Sequence, residues 1–282
     1  MSMKDRPKLG RGLSDVSPFF LSRATVSEPQ QRGIVSPVPR PKTVTVCHPS
    51  SPLVQSFLSA NLALEMARNR HGVSVWDCSA NDEARLTVLM RALMNGQEAG
   101  PDGGVLIRLY GLPSIVIMDG RPDGPPGQDG FSGEPPDLQD GEGGPRTLIN
   151  ARADMDFIIR SAPSEDAVIL TRTDDLSLLQ CYAYIKTIHR GSEGCRIWIV
   201  FDGEGRDPGP VFDRLSGFVG QRLGCSLSFL GTLVHDEAME RSIREERPLV
   251  LFSGDSAARD SLAGICARFM AGSGPAGVEA GS

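Results

Sequence analysis

The sequence predicts an α/β fold, a mostly parallel sheet of about seven strands with helices on both faces. Three observations carry this. The strand-like segments are short continuous apolar runs, as strands buried on both faces require. Helical patterns lie between many of them, the alternation that builds crossover connections. The helices also carry end signals, with a capping residue before several and a glycine or proline after others.

The elements follow in order. Residues 1–42 read as a flexible basic arm, with eight Lys/Arg against three Asp/Glu. Its apolar cluster, Leu13, Val16, Phe19, Phe20 and Leu21, is followed by a linker carrying Pro29, Pro37, Pro39 and Pro41. Such linkers stay extended and hold the cluster away from a core. The α/β domain is expected over residues 43–271, opening with a strand at 43–47. Ser51 caps a helix with Pro52 at its first position, running to about Arg70. Phe57, Leu58, Leu62 and Met66 are expected on one apolar face.

Further strands are expected near 73–77, 105–109, 115–119, 167–171, 196–201 and 227–231. Asp174 or Asp175 starts a helix whose stripe is Leu178, Leu179, Tyr182, Ile185 and Ile188, with Gly191 as its stop. Helices follow at 211–223, ended by Gly224, at 237–247, stopped by Pro248, and at 256–270. Residues 120–146 break the pattern. Gly124, Gly127, Gly130 and Gly133 fall three apart, too few for a triple helix. Residues 119–145 hold seven acids and one arginine, so a disordered acidic insertion is expected. Residues 272–282 read as a disordered tail.

Composition narrows the function. A chain of 282 residues with net charge −6 and pI near 5.3 has no overall attraction for nucleic acid. The six cysteines lack CxxC spacing and do not pair with the four histidines at ligand spacing, so no metal site is expected. They read as buried free thiols of a cytoplasmic protein. No run reaches the ~18 apolar residues of a membrane span, and there is no signal-peptide core.

The opening strand, loop and helix have the layout of a nucleotide-binding unit, yet the loop from His48 to Ser56 has no glycine and no lysine. A phosphate-binding loop needs both: glycines let backbone N–H groups curl around phosphate oxygens, and lysine neutralises their charge. Pro49 and Pro52 instead remove donors. A nucleophilic grouping of Cys47, His48 and Asp77 is set aside, because Cys47 reads as a strand-end core residue.

From Thr43 to Phe269 the chain resembles the MinD/ParA family of P-loop ATPases, above all its MinD/FlhG branch. Anchoring on Asn61-Leu62-Ala63-Leu64 lays the family's loop K-G-G-x-G-K-[ST] over residues 50–56. The signature lysine becomes Ser50, the phosphate lysine becomes Gln55, and Ser56 keeps the hydroxyl of the Mg²⁺ ligand. Asp77-Cys78-Ser79 resembles the family's D-A-D with the second acid replaced. Residues 114–120, with Asp119, resemble a Walker B strand. Ala167 to Thr171 with residues 174–186, and Leu230 to Asp236, resemble later family motifs.

The resemblance implies a P-loop NTPase architecture and, given the degenerate site, a pseudo-ATPase with no cofactor. It would act as an interaction or regulatory protein in the spatial organisation of a motility, division or cell-envelope system. The alternatives it leaves are an atypical switch using ATP with Mg²⁺, and a regulatory partner of an intact family ATPase, as a homodimer or heterodimer. Leu9-Gly10-Arg11-Gly12-Leu13 resembles the leader by which ParB-type proteins engage their ATPase. Leu9, Arg11, Leu13, Phe19 and Phe20 are therefore the expected partner-binding residues.

Overall fold

The structure, a computed structural model, describes residues 42–78, 85–90, 105–107, 115–119, 146–151, 165–192, 194–203 and 207–272. All of them belong to one compact unit, Arg40–Ser282. The arm with Leu9, Arg11, Leu13, Phe19 and Phe20, the acidic segment 120–145 and the tail 273–282 lie outside the described residues.

The strands are β1 (Lys42–Cys47), β2 (Val73–Asp77), β3 (Val105–Ile107), β4 (Ile115–Asp119), β5 (Arg146–Asn150), β6 (Asp166–Thr171), β7 (Arg196–Asp202) and β8 (Leu227–Leu233). They form one sheet in the order β3-β4-β2-β5-β1-β6-β7-β8. Every pairing is parallel except that of β3 with β4. The helices are α1 (Pro52–Arg68), α2 (Leu86–Leu89), α3 (Asp175–Gly191), α4 (Pro208–Leu223), α5 (Glu237–Arg244) and α6 (Ala257–Gly272), with a 3₁₀ turn at Leu249–Leu251.

From β1 the chain moves to one side of the sheet through α1. From β6 it moves to the other side through α3 and α4. Right-handed crossovers of opposite direction place their helices on opposite faces. Two cores result. One packs α1, α2, α5 and α6 on the Val44, Val75 and Leu148 face. The other packs α3 and α4 on the Cys47, Ile169 and Ile199 face. The reversal falls between β1 and β6, so the crevice beyond their carboxyl ends opens at the loop after Cys47.

The helix ends follow their sequence signals. Ser51 caps α1, Asp174 caps α3, and Gly224, at φ 68°, ends α4 in the left-handed conformation a glycine adopts freely. A bulge in β8 puts Gly231 at φ 138°. Arg268 of α6 donates to the Leu230 carbonyl there.

Three expectations change. The helix α1 is not one-sided: thirteen of its seventeen residues are buried, because α2, α6 and the 3₁₀ turn cover the side facing away from the sheet. The 105–109 strand is shorter, Val105–Ile107, and antiparallel. Arg146, assigned above to the insertion, begins β5, a central strand the sequence reading lacked.

Candidate functional site

The loop after β1 folds onto its own histidine. The His48 ring is 1 % exposed, and its Nδ1 accepts the backbone N–H of both Ser50 and Ser51, each at 3.1 Å. That lone pair is therefore occupied, and the ring proton sits on Nε2. Nε2 donates to Asp202 Oδ2 at 3.2 Å, reaching past the end of β6 to the end of β7. His235, beyond β8, donates from its own Nε2 to Asp202 Oδ1 at 2.6 Å. Burial alone would raise the Asp202 pKa. The hydrogen bonds from His235 and His48 outweigh it and hold the carboxyl well below the usual carboxylate range.

Two loop amides that a phosphate-binding loop would turn toward an anion are thus turned inward onto an imidazole. Ser50 Oγ lies 3.5 Å from His48 Nδ1, the far limit of a hydrogen bond. With two amides already on that lone pair, the serine–histidine–aspartate sequence holds a loop rather than activating a hydroxyl. Cys47 is fully buried, and burial, with nearby Cys181 adding to it, pushes its thiol far above the ordinary value. Its thiolate is inaccessible as a nucleophile.

Behind the loop lies a second network, centred on Asn150 at the end of β5. Its Nδ2 donates to Ser56 Oγ at 2.8 Å and Asp77 Oδ1 at 2.9 Å. Its Oδ1 accepts from Gln55 Nε2 at 2.8 Å and Ser59 Oγ at 3.2 Å. Gln55 Nε2 also donates to the Ala151 carbonyl at 2.6 Å, while its Oε1 accepts the His48 N–H at 2.7 Å. Asp77 Oδ2 accepts the Leu86 N–H at 2.7 Å, which ties α2 to the end of β2. Both amide orientations are forced. Asp77 and the Ala151 carbonyl only accept, so an NH₂ must face each. Gln55, Ser56, Ser59, Asp77 and Asn150 are all buried.

Of the positions singled out in the sequence, Gln55, Ser56 and Asp77 converge in this network, and Ser50 lies at its mouth with its N–H on His48. Asp119 is placed on another strand of the sheet. It ends β4, in register with Asp77, and two strands, β2 and β5, separate β4 from β1. The strand beside β1 is β5, and Asn150 closes it. Asn150, Asp202 and the roles of His48 and His235 were missed. The only trace of Asn150 was the short run Leu148-Ile149 ending in a polar residue, next to a Gly/Pro-rich stretch.

The fold is that of the P-loop ATPases of the MinD/ParA type. A chain of the MinC:MinD cell division protein complex of Aquifex aeolicus superposes with a TM-score of 0.58 at 11% identity, covering 83% of this chain and 98% of that one. The cell division ATPase MinD of Pyrococcus furiosus gives 0.57 at 13% identity, with 82% and 98% covered. A plasmid partition protein of Borrelia burgdorferi B31, bound to AMPPNP, gives 0.58 at 12% identity, with 83% and 100% covered. Identities this low speak for the fold alone. No protein-family model and no curated protein matches the sequence. Among the described residues no helix is long and apolar enough to cross a membrane.

Proposed function

We propose that this chain is a non-catalytic protein on the MinD/ParA fold, a pseudo-ATPase that works through protein–protein contacts. Its setting is the spatial organisation of a motility, division or cell-envelope system. One observation supports the non-catalytic part: the loop and helix start that would bind phosphate are already occupied by the chain's own side chains. His48 Nδ1 takes two loop amides, and Gln55, at the phosphate-lysine position, spends its amide on Asn150, Ala151 and the His48 N–H. An incoming triphosphate would have to displace bonds that are already satisfied, with no lysine to offset its charge.

The contacts that replace nucleotide chemistry are assigned to the arm at residues 1–42, through Leu9, Arg11, Leu13, Phe19 and Phe20. Its partner is read as an intact ATPase of the same fold. The MinC:MinD complex of Aquifex aeolicus is a case of this fold with a protein partner. The deciding experiment is calorimetric titration of the full chain with Mg-ATP and Mg-ADP. The expected result is no binding heat at millimolar nucleotide; a micromolar dissociation constant overturns the proposal.

A further inference from the structure

The helices α3 and α4 present an apolar face that nothing in the chain's described residues covers. The exposed large hydrophobic side chains among those residues are Leu176 (66 %), Leu179 (65 %) and Phe218 (44 %), and all three stand on this pair of helices. They are joined into one surface. The Tyr182 ring packs edge-on against Phe218, with centroids 5.1 Å apart, and the Arg222 guanidinium lies over the Phe218 ring at 5.8 Å from its centroid. The inner faces of the same helices are spent on the core, through Cys181, Ile185 and Ile188 on one and Val211, Leu215 and Val219 on the other. Exposing two leucines a turn apart on a helix that already has its buried stripe has no use in the monomer's own packing.

Charge along the face decides what fits it. Both helices follow parallel strands of one sheet on the same side, so they run in the same direction. Asp174, Asp175, Asp207 and Asp213 gather at their starting ends, with Arg172 and Arg214 as the exceptions. Lys186, Arg190 and Arg222 gather at their finishing ends, and the second halves of both helices carry no acid. The face is thus acidic at one end, apolar in the middle and basic at the other. Such a surface is complementary to itself turned through 180°, since the turn sets each acidic end against a basic one and lays the apolar centre on its copy.

We propose that the α3/α4 face is the contact of a two-fold homodimer of this chain. It is built on the opposite sheet face from α1 and is independent of whether the β1 loop binds nucleotide. The contact is small and partly electrostatic, so the dimer should dissociate on dilution and weaken with salt.

Sedimentation of the full chain from about 1 to about 100 µM, the range of weak association, tests this. The expected result is a monomer–dimer equilibrium. Leu176→Glu with Leu179→Glu should abolish it while the melting temperature stays near that of the unaltered protein, since neither side chain is buried. Lys186→Glu with Arg190→Glu should weaken association at least tenfold, and adding Asp175→Lys with Asp213→Lys to the same chain should restore it. A chain that stays monomeric throughout the range overturns the proposal. So does a dimer indifferent to all of these changes, because it would be using another surface.

Discussion

Asn150 Nδ2 donates to Asp77 Oδ1 at 2.9 Å, joining the carboxyl ends of neighbouring strands β5 and β2 at a point where neither residue meets bulk water. The bond explains why an amide stands here. A carboxylate at 150 would face Asp77 with no proton between them, and would lose the donor that Ser56 Oγ accepts.

Asn150→Asp is therefore expected to destabilise the protein by about 3 kcal/mol at pH 7, combining a lost pair of donors with two buried like charges. The penalty should be smaller at pH 5 than at pH 7, because two buried carboxylates side by side favour sharing a proton as the pH falls. Urea denaturation at the two pH values measures both effects. An equal penalty at both would mean that charge is not its cause.

His48 is the second test of the same region. His48→Ala removes the acceptor of the Ser50 and Ser51 amides, opens a ring-sized void and takes one partner from Asp202, while the backbone N–H that Gln55 Oε1 accepts is kept. A loss of about 2–4 kcal/mol is expected from broken bonds and cavity together. His48→Asn, which keeps a short acceptor near the loop amides, should recover part of it. Chemical denaturation of the two variants makes the comparison.

The pH dependence of Asp202 has a definite sign. Its folded carboxyl lies below the ordinary 3.8, because bonds from His235 and His48 outweigh burial. A depressed acid stabilises the fold fully above its unfolded value, and the contribution is lost as pH falls from there toward the folded value. The acid limb should begin near pH 4. His235→Ala removes the 2.6 Å bond and should move that limb to higher pH, at a cost of about 1 kcal/mol at pH 7. Acid titration followed by tryptophan fluorescence gives the midpoint, and an unmoved midpoint would show that His235 does not hold the carboxylate.

Asp236 carries a structural load that its position in a loop hides. Its Oδ1 accepts the Met239 N–H that caps α5, and its Oδ2 accepts the Ala258 N–H and the Ser256 hydroxyl at the start of α6. One carboxylate therefore caps one helix and pins the first turn of another. Asp236→Ala is expected to cost about 2 kcal/mol, the upper range for a single cap, and thermal melting checks it. A loss no larger than that of Asp174→Ala, which removes an ordinary cap at α3, would show that the second set of bonds adds nothing.

Much of this fold was legible because local and global signals agree. The runs at β1, β6, β7 and β8 are short, and Ser51, Asp174 and Gly224 mark helix ends where the chain turns. By contrast α5 ends at Arg244, short of the Pro248 expected to stop it, and Pro248 instead leads into the 3₁₀ turn. Strand β5 was not legible. Only Leu148 and Ile149 of its five residues are large and apolar. Thr147 is satisfied by the Ser74 hydroxyl across the ladder at 3.0 Å, and Asn150 by four partners far away in sequence. Side chains paired in this way look like loop residues until their partners are known. The site was half legible for the same reason. Gln55, Ser56 and Asp77 fall at recognisable places in a strand–loop–helix–strand unit, but Asp202 lies 154 residues from His48, and no spacing rule joins them.

The sharpest test of the nucleotide reading is Gln55→Lys, which restores the most conspicuous missing charge. A lysine ammonium has three donors and no acceptor. It can keep the bonds to Asn150 Oδ1 and the Ala151 carbonyl, but it cannot accept the His48 N–H that Gln55 Oε1 holds at 2.7 Å. The site also lies among fully used polar groups, so the charge is buried without a dedicated partner. A destabilisation of about 2–3 kcal/mol is expected, from an orphaned amide and an uncompensated ammonium. Mg-ATP should still fail to bind, because the Ser50 and Ser51 amides remain on His48 Nδ1 and Pro52 has no N–H to offer. Calorimetry on the variant decides it. If Gln55→Lys alone produced micromolar Mg-ATP binding, the inward-turned loop would not be what keeps nucleotide out, and the chain would instead be an ATPase one substitution away from its ligand.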